Sequence, residues 1–182
     1  MRIITGKYKG RNLSLVPGIS TRPTTSFNRE VIFSVHQDYQ DARVLDLFAG
    51  TGSLGLETLS RGAAWVDFVE FAPAAMATIL ANITHMGCGE SCHLWKKRVD
   101  AYLKTCTSQY DVIFLDPPYL KNLVNPTLST IFERGLLSET GFAVVEHSPR
   151  EPITPGLQGY IYQHKESKGS HFTWLAVPPL SN

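Results

Sequence analysis

An α/β fold built on a mainly parallel sheet is what this sequence predicts, on three observations. From Arg43 onward, short apolar runs rich in β-branched and aromatic residues alternate with stretches of helical periodicity. A glycine-rich turn, Gly50-Thr51-Gly52-Ser53-Leu54-Gly55, joins the first run to the first of those helices. After Pro149 the alternation stops. Runs at 160–164 and 172–177 flank Glu166-Ser167-Lys168-Gly169-Ser170, which predicts an antiparallel hairpin closing the sheet.

The elements follow in order. Residues 2–5 and 12–16 read as short strands joined through Gly6-Lys7-Tyr8-Lys9-Gly10, a basic hairpin or extended arm that Pro17-Gly18 ends. Residues 21–25 form a polar loop. Thr25 or Ser26 can cap a helix running to about Tyr39, with Val31, Ile32 and Val35 on its apolar face. Strands are then expected over 44–48, 65–70, 93–96, 112–115 and 142–146, and helices over 53–60, 73–85, 99–105 and 125–133. Gly62, Gly87 and Gly135 stand where helix C-caps belong. No repeat, low-complexity tract or linker divides the chain. Its 182 residues suit one domain, with a basic arm over 1–24 and a core over 25–182.

Composition excludes several classes. Hydrophobic residues make up 43%, ordinary for a soluble globular protein. No apolar stretch approaches the roughly 18 residues of a membrane span. The N-terminus lacks the apolar region of a secretory signal, so the cytoplasm is the expected location. Cys88, Cys92 and Cys106 give neither a disulfide framework nor a C-x-x-C pair, and no second ligand pair follows at zinc spacing. The histidines show no H-E-x-x-H pattern, and no metal is expected.

The formal charge is only +1, but it is unevenly spread. Residues 1–30 carry Arg2, Lys7, Lys9, Arg11, Arg22 and Arg29 against Glu30, a net +5, which leaves −4 for the remainder. A basic segment on a mildly acidic body is the footprint of phosphate contact. A solvated hairpin has the same composition.

Two motifs carry chemistry. Gly50, Gly52 and Gly55 match G-x-G-x-x-G, and Glu70 ends the next apolar run. The glycines let a ligand approach the backbone, and the helix N-terminus favours a negative group. A pyrophosphate would suit that turn, as would the carboxylate of an amino-acid-bearing ligand. Asp46, four residues before Gly50, opposes a pyrophosphate and attracts an ammonium or sulfonium. S-adenosylmethionine carries a carboxylate, an ammonium, a sulfonium and a ribose diol, and meets all of these features. A nicotinamide dehydrogenase would also need a substrate domain, and an antiparallel hairpin at the end of its sheet would be unusual.

The second motif, Asp116-Pro117-Pro118-Tyr119, follows the apolar run Val112-Ile113-Phe114-Leu115. The prolines restrain the backbone just past the carboxylate. A carboxylate, a proline carbonyl and an aromatic ring together can grip a planar group bearing an NH2, which suits methylation of a nucleobase amine. A plain strand-ending turn is the alternative for such a short motif.

With these motifs the chain resembles the bacterial 16S ribosomal RNA guanine-N2 methyltransferases. The likeness lies in M-R-I-I-T-G-K-Y-K-G-R at 1–11, T-R-P-T-T at 21–25, R-E-V-I-F at 29–33, L-D-L-F-A-G-T-G-S-L-G-L-E at 45–57, D-P-P-Y at 116–119 and V-E-H-S at 145–148. It implies a seven-stranded Rossmann-like sheet with helices on both faces and an antiparallel last strand. It also implies methyl transfer from S-adenosylmethionine to one guanine amine of 16S RNA, in the small ribosomal subunit or its assembly intermediate. One departure stands out: Ser26-Phe27-Asn28 occupies the place where the family commonly has a charged pair.

Roles are assigned accordingly. Asp46, Phe48, Gly50, Gly52 and Leu54 would wall the methionine part of the cofactor. Glu70 would hold the ribose hydroxyls and Phe71 would flank the adenine. The resemblance places Asp100 and Ala101 at the adenine amine. Asp116 and the Pro117 carbonyl would orient the target amine, with Tyr119 stacked on the base. Lys7, Lys9, Arg11, Arg22, Thr24 and Arg29 would meet RNA. Asn82 is expected to be a structural polar residue, and the chain a monomer. Two other readings stay open: another nucleic-acid amine methyltransferase acting on adenine N6 of DNA or RNA, the DNA enzyme needing a target-recognition domain, and an RNA-binding module of the same fold without catalysis.

Overall fold

The computed structural model describes residues 1–18, 26–167 and 169–178. Five strands alternate with helices: β1 (Arg43–Leu47), α2 (Ser53–Ser60), β2 (Trp65–Glu70), α3 (Pro73–Met86), β3 (Cys92–Lys96), α4 (Val99–Thr105), β4 (Tyr110–Leu115), α5 (Val124–Glu133) and β5 (Leu137–His147). Helix α1 (Ser26–Phe33) precedes them, and the hairpin β6 (Ile161–Ser167) and β7 (Ser170–Ala176) follows. The sheet order is β3-β2-β1-β4-β5-β7-β6. The first five strands run parallel, and β7 is antiparallel to both β5 and β6. The expected seven-stranded sheet with its antiparallel last strand is present.

The continuous apolar runs have a simple cause. Successive side chains in a strand point to opposite faces, and helices cover both. Val44, Phe68, Phe114 and Val144 join one core with Leu56, Leu59 and Ile79, while Leu45, Val69, Ile113 and Val145 join a second with Leu103 and Leu128. Helix α3 begins at Pro73, whose missing N–H costs nothing there, and ends at Gly87 with φ 67°. Gly55 lets α2 lie flat on β2, since a Cβ there would stand 2.4 Å from the Phe68 ring.

The hairpin arrives longer than expected, β4 begins two residues earlier, and β5 extends back to Leu137. Helix α1 ends at Phe33, not near Tyr39. Phe33 and Tyr39 are both buried and meet edge-on at 5.5 Å, so the chain turns between them to pack one ring on the other.

The N-terminal segment corrects the idea of a separate arm. The expected strands reduce to a single antiparallel bridge between Arg2 and Asn12. Ile3 and Leu13 are buried in the same core as α2. The amides of Ile4 and Thr5 donate to the Glu57 carboxylate on α2, and those of Lys7 and Tyr8 donate to Ser60. Gly6 is required here: its φ is 87°, and a Cβ would collide with the Ser60 carbonyl oxygen at 1.7 Å. The segment is docked on the core from end to end of this contact, because Glu57 is buried and needs these donors.

Arg29 is likewise a correction. It is fully buried, donates to the Arg2 carbonyl and lies 3.7 Å from Glu57. It cannot reach an RNA phosphate. Burial lowers its pKa while Glu57 and Glu30 oppose that shift. No helix among the described residues is long and apolar enough to cross a membrane.

Candidate active site

The strand order reverses between β1 and β4, where an open α/β sheet leaves a crevice at its carboxyl ends. A cavity of about 1350 Å³ lies there. Single-ligand pockets are typically ~300–1,000 Å³, so this one has room for two ligands side by side. The ends of β1, β2, β4 and β5 contribute Asp46, Glu70, Asp116 and Glu146 to its wall. Register explains the convergence: Leu47 pairs with both Val69 and Leu115, and Leu115 pairs with Val145. Lys97, Arg98, Lys104 and Lys121 also line it, so the cavity carries both acids and bases.

The glycine turn is shaped as the motif requires. Gly50 and Gly52 take φ 54° and 74°, and the N-cap of α2 is Gly52. Phe48 also adopts a positive φ, 58°, a costly conformation for an aromatic residue held by the turn around it. Asp46 is buried and accepts the Gly55 amide at 2.9 Å, which ties β1 to α2. Its burial pushes the carboxyl up to about 8. Asp116 and Glu70 push it the same way, and the Gly55 amide opposes them. A cation beside it would reverse that shift.

Glu70 accepts three amides: Gly50 on Oε2 at 3.1 Å, and Phe71 and Ala72 on Oε1 at 2.8 and 2.9 Å. A carboxylate has about four acceptor sites. Glu70 therefore shapes the loop, and its three amide donors leave one acceptor site on Oε2. Phe71 stands 57% exposed at the cavity, an apolar face for a planar ring, with the Arg98 guanidinium 5.9 Å from its centroid. Asp100 lines the cavity at the start of α4 but is exposed and bonded to Arg98 Nε at 3.1 Å. Leu54 also lines it. Gly52 and Ala101 are not among its lining residues. Gly52 acts through its backbone turn, and Ala101 lies one position further along α4.

Asp116, Pro117, Pro118 and Tyr119 all line the same cavity. Tyr119 donates to Glu146 Oε1 at 2.6 Å and lies 2.7 Å from Ser170 Oγ. Burial and then the hydrogen bond to Glu146 raise its pKa, against an opposing bond to Ser170, so the phenol stays protonated. Asn28 donates from Nδ2 to the same Glu146 oxygen at 2.9 Å. The departure at Ser26-Phe27-Asn28 thus brings a buried amide to the D-P-P-Y end of the cavity. The side chain of Ser26 lies outside the described residues, as do Arg22 and Thr24.

Among the expected RNA-facing residues, Lys7 and Lys9 are exposed. Arg11 is exposed too, yet its guanidinium donates to the carbonyls of His85 and Met86 and so caps α3. Asn82 is structural as expected, clasping Ser14 through both its N–H and C=O and bonding to the Thr51 carbonyl.

Glu146, Asn28 and Ser170 were missed as site residues. A signal for Glu146 was present: β2 and β4 each give way to an acid, Glu70 and Asp116, and the run Ala143-Val144-Val145 ends in Glu146 in the same manner. A cluster of His147, His164 and His171 was also missed, because it forms only across β5, β6 and β7. Both His147 nitrogens are engaged there, Nδ1 with the Ser148 and Glu151 carbonyls and Nε2 with Thr173 Oγ1.

Comparison with known proteins agrees with the motifs. The family described as conserved hypothetical protein 95 matches residues 1–176. The chain belongs to this family. Its relatives include the ribosomal RNA small subunit methyltransferase D of Haemophilus influenzae, 34% identical over 160 residues that cover 85% of this chain and 83% of that protein. The protein of the same name from Escherichia coli is 31% identical over 147 residues, 80% of this chain and 74% of the relative. Among solved structures, yhhF of Escherichia coli superposes with a TM-score of 0.83 at 28% identity and covers 96% of each chain. The resemblance read from the motifs is the family the chain is in. Its sheet is that of the Rossmann-like methyltransferases.

Proposed function

We propose that the chain transfers a methyl group from S-adenosylmethionine to the exocyclic N2 amine of a guanine in small-subunit ribosomal RNA. The observation that carries this reading is the meeting, in one cavity, of the glycine turn after β1 and the Asp116–Tyr119 motif after β4. The names of the relatives, which act on small-subunit ribosomal RNA, point the same way.

The lining fits this cofactor better than a dinucleotide. Asp46 lies beside the glycine turn, where an ammonium or sulfonium would draw its carboxyl into the ionised form and a pyrophosphate would not; Glu70 suits the ribose of either ligand. When bound, S-adenosylmethionine supplies an electrophilic methyl group on a cationic sulfur. Asp46 would hold the positive end, the turn amides the carboxylate, Glu70 Oε2 a ribose hydroxyl, and Phe71 would flank the adenine.

The remaining steps belong to the residues after β4. A guanine amine is a weak nucleophile because its lone pair is delocalised into the ring. Asp116 and the Pro117 carbonyl accept its hydrogens and localise that pair. Holding the amine within ~3–3.5 Å of its target contributes through orientation. Tyr119 supports the base, and the proton released leaves to Asp116 or to water. The base must leave its stack to enter. Lys7 and Lys9 on the N-terminal turn would contact phosphates, with Lys97 and Lys121 nearer the cavity. The RNA partner is the 16S molecule in the small subunit or its assembly intermediate.

The test is methyl transfer from labelled S-adenosylmethionine to naked 16S RNA and to small subunits from an unmethylated strain, followed by nucleoside digestion. N2-methylguanosine is the expected product. Label in another nucleoside, or none in either substrate, would overturn the reading.

A further inference from the structure

Glu146 carries a feature that the proposed chemistry does not use. It lies at the end of β5, beside Asp116 at the end of β4, because Leu115 pairs with Val145. The residue is 5% exposed and lines the cavity. Oxygen Oε1 accepts three donors: Asn28 Nδ2 at 2.9 Å, Tyr119 Oη at 2.6 Å and Ser170 Oγ at 2.9 Å. Oxygen Oε2 is buried and has no hydrogen-bond partner among the described residues. A buried carboxylate oxygen without a donor is strongly unfavourable. The three donors around Oε1 also stop the group from turning to relieve it.

We propose that Glu146 is the specificity-determining residue that selects guanine, its Oε2 accepting the ring N1–H while the neighbouring amine lies against Asp116 and Pro117. This rests on the proposed function, in which Asp116 faces the target amine. The selection follows from donor and acceptor chemistry. An ionised carboxylate only accepts. In guanine the ring nitrogen beside the amine carries a hydrogen. In adenine and cytosine the corresponding ring nitrogen carries a lone pair, which would face the carboxylate and be repelled. A flipped base is read along this Watson–Crick edge. The grip on Oε1 preorganises the reader, and Tyr119 links it directly to the D-P-P-Y turn.

Base analogues test this on the unaltered protein. A 16S RNA with guanine, 2-aminopurine or inosine ligated in at the mapped target is prepared and presented both naked and in reconstituted small subunits. 2-Aminopurine keeps the amine but has a lone pair at N1; inosine keeps N1–H but has no amine. Methyl transfer to 2-aminopurine should be slower by about a hundredfold or more, since a site built to bond a donor rejects the analogue lacking it. The inosine RNA should compete with the guanine RNA at similar concentrations.

Glu146→Gln adds a second arm. The donors around Oε1 would hold the Gln oxygen there and leave its NH2 in place of Oε2. The preference for guanine over 2-aminopurine should then narrow by about tenfold or more, whatever happens to the guanine rate. If thermal melting shows this variant unfolded, the analogue series on the unaltered protein decides alone. Equal methylation of guanine and 2-aminopurine would overturn the inference and leave the proposed function standing. So would a folded Glu146→Gln that loses both rates in proportion. Absence of guanine methylation in every RNA would overturn the proposed function, and this inference with it.

Discussion

Tyr119 and Glu146 are joined by a hydrogen bond of 2.6 Å, which ties the aromatic ring after β4 to the end of β5. The ring is therefore held at its far end. Two separable effects follow. Tyr119→Phe keeps the ring and removes the donor to a carboxylate, a bond worth roughly 1.5–3 kcal/mol. Methyl transfer should fall by about tenfold. Tyr119→Ala also removes the stacking face, worth about 1–3 kcal/mol per base, and should fall further by a similar factor. Steady-state rates on the RNA substrate separate the two. Equal loss in both variants would mean that the ring does not touch the base.

Asp46 predicts a pH dependence whose sign is set by burial. Its carboxyl stands at about 8 in the folded chain against an ordinary 3.8. A group raised in this way contributes most to stability below its unfolded pKa, and that contribution is lost as pH rises through about 8. Asp46→Asn keeps an acceptor for the Gly55 amide and removes the titration. Denaturant unfolding should show the variant gaining on the parent from mildly acidic to mildly alkaline pH, by on the order of a few kcal/mol. A cationic ligand favours the ionised form, so its binding should release a proton below about pH 8 and tighten as pH rises. Calorimetry in buffers of different ionisation heat reads that proton. A pH-independent affinity in the parent protein would remove Asp46 from the cofactor site.

Much of this was legible because local pattern decides it. Alternating strand and helix periods gave the parallel sheet, and G-x-G-x-x-G and D-P-P-Y each sit at a strand end in sequence as in space. Asp46, Glu70 and Asp116, which line one cavity, stand out in the sequence for that reason. The residues that escaped depend on contacts distant in sequence. Arg29 reads as a surface cation, yet the buried Glu57 draws it inward. Asn28 and Ser170 reach Glu146 from 118 and 24 residues away. The N-terminal segment reads as a basic hairpin or extended arm, because nothing local reveals that Glu57 and Ser60 supply its hydrogen bonds.

Arg29 and Glu57 give a stability prediction. Both side chains are fully buried, with the charges 3.7 Å apart. Arg29→Met should lower stability by about 3–5 kcal/mol, the usual consequence of removing one partner of a buried pair. Arg61 also bonds Glu57, at 2.9 Å, and would soften the loss. The salt dependence of RNA binding by the folded fraction should not change, which distinguishes this arginine from a phosphate contact.

Lys7 and Lys9 should behave in the opposite way. Both are exposed at the turn of the N-terminal segment. Reversal of each to Glu should leave the melting temperature nearly unchanged and weaken RNA binding. Each lost phosphate contact should remove roughly 0.7–0.9 from the log–log salt slope. Arg11 is excluded from this pair because it caps α3. An unchanged slope would move the RNA surface to Lys97 and Lys121 beside the cavity.

The central claim is a division of labour within one cavity, with cofactor groups after β1 and β2 and the target amine after β4. Asp116→Ala tests it most directly, by pairing single-turnover methyl transfer with calorimetric binding of S-adenosylmethionine. Transfer should be abolished while cofactor affinity stays within about twofold, and Asp116→Asn should also be severely impaired because its amide offers only one acceptor. Loss of cofactor affinity in proportion to the loss of transfer would place Asp116 on the cofactor side and contradict the account.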